Sequence, residues 1–104
     1  MAAIDWSLKA QRHLRDITEY LESTSASYAG VFGGRVLAAA ELVSEFPRLG
    51  RVVPEYQDND LREVLVGNYR LVYHVTGEHL GIVGIVDGSR DLRGALGKTP
   101  WDLG

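Results

Sequence analysis

Residues 61–75 read LREVLVGNYRLVYHV, and the phase of this stretch sets the architecture. Two runs rich in Val, Leu and Tyr alternate around Gly67 and Asn68. Branched and aromatic residues favour strands, and a short glycine-containing pair between two such runs marks a tight hairpin. With Gly67 and Asn68 as the loop, Leu65 lies opposite Arg70 and Val64 opposite Leu71. Successive side chains on a strand point to opposite faces. Val64, Val66, Tyr69, Leu71, Tyr73 and Val75 then share one face with Arg62. Leu61, Glu63, Leu65, Arg70, Val72 and His74 share the other. The first set is the more apolar and is expected to pack on helices.

Downstream, a second tight turn at Gly77–Glu78 leads into LGIVGIVD, residues 80–87. This run is apolar on both sides, as interior strands are. Carried through that turn without interruption, the register places Asp87 on the face of Arg70, one diagonal away. The remainder, GSRDLRGALGKTPWDLG, predicts one helical turn and then a loose tail over residues 94–104.

Upstream, residues 2–6 (AAIDW) read as a short strand. Ser7 is a suitable N-cap for a helix running to about residue 23. Ala10, Leu14, Ile17 and Leu21 form its apolar stripe. A second helix is expected over residues 28–46, with Phe32, Val36, Ala39, Val43 and Phe46 on its buried side. Gly30, Gly34 and Ala38 form a bare stripe opposite. Each helical glycine costs about 1 kcal/mol relative to alanine. Two readings fit: a weak helix start, or close approach by another helix or a partner chain. Pro47 ends the helix, and residues 47–60 are turn-rich. The expected fold class is α+β, a single domain over residues 1–104. A helical hairpin packs on one face of a small antiparallel sheet whose other face is partly open.

The chain has 104 residues, enough for one core. Its formal net charge of −3 argues against a protein whose main task is gripping phosphate backbones. There is no cysteine, hence no disulfide framework and no thiolate metal site. The N-terminus lacks an apolar signal core and no run reaches membrane-spanning length, so the cytoplasm is the default and no membrane partner is expected. Walker, Rossmann and nucleophile-elbow patterns are missing. The three histidines, His13, His74 and His79, do not cluster with acidic ligands, so neither a metal nor a cofactor is expected. One charged constellation remains: Arg51, Glu55, Glu63, Arg70, His74, Asp87 and Arg90. A carboxylate beside an arginine can act as a general base with a clamp for a phosphoryl group. A half-exposed sheet face laced with weak ion pairs uses the same residues.

The segments GRVVPE (50–55), LRE (61–63), GNYRLVYHV (67–75) and IVGIVDGSRDL (82–92) occur in an order that resembles the ParE/RelE superfamily of toxins from bacterial toxin–antitoxin, or plasmid-stabilisation, pairs. The resemblance covers about residues 4 to 93. It implies two helices on a small antiparallel sheet, and a cognate antitoxin that wraps and silences the toxin. It also implies one of two targets. ParE-like members poison DNA gyrase and have no conventional active site. RelE-like members cut mRNA in the ribosome. Glu55 falls where a nuclease branch keeps a glutamate, and Arg70 on the arginine of its HRLVY-like strand, so these two are the catalytic candidates under that reading. That branch also needs a histidine near the end of the last strand, where this chain has Asp87 and Gly88. Residues 47–76 hold four arginines against two Asp and two Glu, a neutral stretch rather than a basic groove for RNA. The ParE-like branch is therefore favoured, with Arg51, Arg62, Tyr69, Tyr73, Asp87 and Arg90 as binding candidates. Gly30, Gly34 and Ala38 are candidate antitoxin contacts. A non-toxic relative that only binds its antitoxin is the third reading. Arg70 is expected to pair with Asp87 or Glu63.

Overall fold

The computed structural model describes residues 2–101. In chain order the elements are β1 (Ala3–Trp6), α1 (Leu8–Glu22), α2 (Ala26–Glu45), β2 (Arg51–Val52), β3 (Leu61–Val66), β4 (Tyr69–Thr76), β5 (His79–Asp87) and α3 (Leu92–Leu96). The β3–β4 hairpin forms in the register its sequence sets, with Leu65 opposite Arg70 and Val64 opposite Leu71. Gly67, at φ 59°, takes the left-handed conformation that the first loop position of such a turn needs. The class is α+β as expected. The sheet, however, has five strands in the order β1-β5-β4-β3-β2 and is mixed. β1 runs parallel to β5, while the other pairs are antiparallel.

The helices pack on one face. Ser7 Oγ accepts the amide of Ala10 at 2.9 Å and fixes the start of α1. Ser25 caps α2, which therefore begins two residues before the expected 28. Phe32, Val36, Ala40 and Val43 meet Leu71, Tyr73, Leu80, Ile82 and Ile85 in the first core. Phe46, expected on the buried stripe, lies at the C-cap with non-helical backbone angles and is exposed. Gly30, Gly34 and Ala38 face outward, and a Cβ at Gly30 or Gly34 would meet nothing within 4 Å. Among the described residues, nothing beyond the helix itself approaches the stripe at Gly30 or Gly34.

The β4–β5 register differs from the expectation. It begins with Thr76 opposite His79 but shifts between Val72 and Tyr73, which face Gly84 and Ile82. Val83 is the extra residue of a β-bulge. One inserted residue reverses the phase of everything after it. Leu80 and Ile82 face the helices, and beyond the bulge Ile85 does so instead, while Val83 and Val86 face away. Asp87 therefore pairs with Tyr69 on the helix side of the sheet, opposite the face of Arg70. The expected Arg70–Asp87 contact does not exist.

The second face is not open. Val53, Tyr56, Leu61, Val72, Val83, Val86, Leu92 and Leu96 bury one another in a second core under α3. The expected loose tail instead packs through Trp101, with Leu96 3% exposed; residues 102–104 lie outside the described residues. Gly84 suits this closure, because a Cβ there would run into Leu96 Cδ2 and the leucine would have to shift. Among the described residues no helix is long and apolar enough to cross a membrane.

Candidate functional site

Antiparallel pairing places Glu63 of β3 diagonally across from Arg70 of β4 on the second face. The loop after β2 brings Glu55 over them. Arg70 Nε donates to Glu63 Oε1 at 2.6 Å, and its two terminal nitrogens donate to Glu55 Oε2 and Oε1 at 2.6 and 2.7 Å. Arg51, opposite Glu63 on β2, donates from Nε to Glu63 Oε2 at 2.5 Å. The result is a four-residue chain, Arg51–Glu63–Arg70–Glu55, with two charges of each sign. Its centre is dry: the side chains of Glu63 and Arg70 are 1% and 7% exposed. Its ends are wetter, Glu55 at 32% and Arg51 at 66%.

The electrostatics follow from this geometry. The bidentate bond from Arg70 holds the Glu55 carboxyl below the usual carboxylate range. Glu55 and Glu63 in turn raise the pKa of Arg70 against the opposing effect of burial. Neither group is poised to exchange a proton near neutrality. Three of the five guanidinium N–H groups are committed to carboxylates. Among the described residues, no buried side-chain nitrogen or oxygen lacks a hydrogen-bond partner.

A lacing of aromatic and basic groups fastens the cover. Tyr56 Oη donates to Gly97 O at 2.5 Å, and burial raises its pKa. Arg93 of α3 lies 5.0 Å above the Tyr56 ring and donates to the carbonyl of Glu55. Trp101 stacks on His74 at 5.8 Å, and His74 Nε2 lies 3.2 Å from Asp58 Oδ2. Tyr56, Asp58, Arg93 and Trp101 were not singled out from sequence. The usable signal was an aromatic residue inside each of two polar stretches, PEYQD and KTPWD, since such residues tend to be buried with a polar handle paired.

The other candidates are dispersed. Tyr73 is fully buried, accepting from Gly50 N at 2.9 Å and donating to Pro47 O at 2.8 Å, so it presents nothing to a partner. Arg62 spends its donors on the carbonyls of Arg48, Gly50 and Asn59, tying down the loops around β2. Tyr69 is half-buried edge-on against Phe32, with ring centres 5.1 Å apart. Asp87 Oδ1 accepts from the amide and hydroxyl of Ser89, bonds that lower its pKa. Arg90 is exposed on the helix side of the bulge. Of the charged constellation, Glu55, Glu63, Arg70 and Arg51 join in one ion chain, while Asp87 and Arg90 lie together beside a cleft on the helix side of the sheet. Among the described residues, no cluster of three or more His, Cys, Asp or Glu side chains could hold a metal ion.

A family model described as ParE toxin of type II toxin–antitoxin system, parDE, matches residues 4–92. No curated relative matches the chain by sequence. Among solved structures, a chain of the chromosomal ParDE toxin–antitoxin system from P. aeruginosa superposes with a TM-score of 0.70 at 16% identity. The match covers 84% of this chain and 96% of that one. At this identity the likeness is one of fold.

Proposed function

Because the chain belongs to the ParE toxins of type II toxin–antitoxin systems, we propose that it acts in the cytoplasm by binding DNA gyrase and stabilising its DNA-cleavage complex, not by cutting mRNA. The observation that carries this reading is the state of Arg70. A phosphoryl clamp needs free donors facing substrate. Here the guanidinium is buried beneath Glu55 and shared between two carboxylates. The base that a nuclease would need is the same Glu55, already ion-paired. What remains for function is surface, and a binder needs only that.

The partner that silences it is a cognate antitoxin, and the outward side of α2 suits one. Gly30, Gly34 and Ala38 lie beside Val31 and Leu42, which are 56% and 47% exposed. Bare backbone flanked by exposed apolar side chains permits close helix packing. The test is a gyrase reaction on supercoiled DNA with the purified chain. Accumulation of protein-linked linear DNA is expected, with no cleavage of ribosome-bound mRNA. Site-specific mRNA cuts that vanish in Glu55→Gln and Arg70→Ala would establish the nuclease reading. Neither activity, with antitoxin binding intact, would identify a non-toxic relative.

A further inference from the structure

The start of α1 and the segment after α3 border one cleft of about 460 Å³. Ser7, Lys9 and Arg12 line it from α1, Lys98 and Thr99 from the C-terminal segment, and Val83 from the bulge. Both walls are pinned by contacts within the chain. Ser7 Oγ accepts the amide of Ala10 and donates to the carbonyl of Val83 at 3.4 Å. The carbonyl of Gly97 accepts from Tyr56 Oη, and Leu96 and Pro100 on either side of this segment are buried. The volume lies in the range of small-molecule sites, about 300–1,000 Å³.

Charge sets this cleft apart. Three of its lining residues are cations drawn from two distant segments, and among the described residues no carboxylate lines it. Nor does any described carboxylate lie within 4.0 Å of Lys9, Arg12 or Lys98. Bases without a carboxylate partner elsewhere lack this setting. Arg62 is spent on three carbonyls, and Arg93 on the Glu55 carbonyl and the Tyr56 ring. Arg35 is the one base on α2. The next base along α1, Arg15, lies 4.0 Å from Asp16, so the excess charge ends at Arg12. The backbone adds to it. No acidic residue occupies the first turn of α1. Ser7 takes the amides of Ala10 and Gln11. Those of Leu8 and Lys9, the first two of the helix, have no acceptor within it, and their partial charge favours an anion.

We propose that this cleft binds the phosphate chain of a small di- or triphosphate, its oxygens held by Lys9, Arg12, Lys98 and the amides at the start of α1. The number of charges selects this occupant. A carboxylate carries one charge and leaves two of the three cations uncompensated. One phosphate monoester already carries about −1.5 to −2, and a chain of two exceeds that. A nucleic-acid strand needs a continuous basic track, whereas here the excess charge is confined to one cleft. Free nucleotides and inorganic diphosphate share this chemistry, and Leu8 and Pro100 in the lining give the organic part of a nucleotide an apolar surface. The negative net charge of the whole chain is no obstacle, because the local field decides contact. The inference rests on this cleft alone and stands whichever macromolecule the toxin poisons.

The test is isothermal titration calorimetry of the purified, antitoxin-free chain with ADP, inorganic diphosphate and adenosine. ADP is expected to bind saturably at one site, with adenosine at least about tenfold weaker. Competition by inorganic diphosphate supports the phosphate chain as the recognised part, and the ratio of its affinity to that of ADP tells the two sources apart. Lys9→Gln with Arg12→Gln is expected to weaken ADP binding at least about tenfold. Lys98→Gln, on the opposite wall and outside any helix, is expected to weaken it about fivefold or more, and it keeps the test open should the double variant fail to fold. Arg35→Gln, on α2 and outside the cleft, is expected to change it less than about twofold. Absence of saturable binding by both ADP and inorganic diphosphate overturns the proposal, as does binding indifferent to Lys98→Gln and to the double variant. Displacement of ADP by polyglutamate as readily as by inorganic diphosphate overturns it in favour of an acidic protein partner. Displacement by a mixed-sequence oligonucleotide at lower phosphate concentration than inorganic diphosphate overturns it in favour of a nucleic-acid strand.

Discussion

Replacing Arg70 with methionine tests whether the ion chain holds the fold or serves catalysis. Methionine keeps much of the length of the side chain and removes its charge. Glu63 is then left 1% exposed with Arg51 as its one remaining cationic partner, and Arg51 is two-thirds in water. Removing one member of a buried pair costs about 3–5 kcal/mol. The surviving Arg51 bond, at 2.5 Å, argues for the lower end, about 3 kcal/mol. A loss of 1 kcal/mol lowers the melting temperature of a domain near 100 residues by about 4–8 °C. Arg70→Met is therefore expected to melt at least about 12 °C below the parent.

Two companions sharpen the test by circular dichroism melting and urea titration. Arg51→Ala removes the exposed end and leaves Glu63 paired with Arg70, so a loss under about 1 kcal/mol is expected. Arg70→Met combined with Glu63→Leu removes the buried charges together. Apolar replacement of a buried pair is often neutral or stabilising, and Glu55, a third exposed, can return to water. The double variant is expected to recover most of the lost stability. A single Arg70→Met variant that melts within about 3 °C of the parent would refute the reasoning, because a buried carboxylate cannot lose its main partner at so little cost.

His13 accepts the amide of Ile85, and its pKa is lowered, first by burial and then by Lys9. A histidine whose folded pKa lies below its unfolded value binds fewer protons when folded, so its contribution is complete above about pH 6.5 and is lost as pH falls below that. His13→Ala is expected to cost about 1–3 kcal/mol by orphaning the amide, and to flatten the stability profile just below pH 6.5. The lowered pKa of Glu55 gives a second window: its stabilisation is present above about pH 4.5 and is lost as pH falls further, a loss that acid titration of Glu55→Gln should no longer show. Gly84→Ala is expected to cost about 1–3 kcal/mol because its Cβ meets Leu96, and the double variant with Leu96→Ala should cost less than the sum of the two singles. Gly34→Leu meets open space, so its melting temperature should not fall, while antitoxin affinity in a titration should drop at least about tenfold; unchanged affinity removes the bare stripe from the interface.

The β3–β4 hairpin was legible because Gly67 and Asn68 fix the loop, and one face is clearly more apolar than the other. The cap at Ser7 was legible for a similar reason: a polar residue precedes a periodic run. The phase of β5 was not. LGIVGIVD is apolar on both sides, so sliding it by one residue changes no visible pattern, and the one mark of the bulge at Val83 was Gly84 beside it, a lone glycine inside a strand. The expected position of Asp87 failed for that reason alone. α3 was half legible, since Leu92 and Leu96 stand at helical spacing after Asp91, whose side chain accepts the amide of Gly94. What the spacing could not reveal was a second core for those leucines to enter. The pairing of Glu55 with Arg70 spans fifteen residues of turn and strand, and nothing local reports it.

The same carboxylate and arginine can serve as a clamp or as a structural tie, and what lies over them decides which. Here α3 fastens the loop that carries Glu55, through Arg93 and through Tyr56 with Gly97. Baring Arg70 means lifting that loop, and with it Leu92 and Leu96, which are 0% and 3% exposed. Returning two buried leucines to water costs about 3–6 kcal/mol. That is comparable with the whole stability of a small domain, about 5–15 kcal/mol. A substrate would have to supply that energy before any chemistry began. A binding partner faces no such cost on this side of the sheet, because Arg51 and Val52 of β2 already stand exposed at the edge while the ion chain beneath keeps that edge rigid.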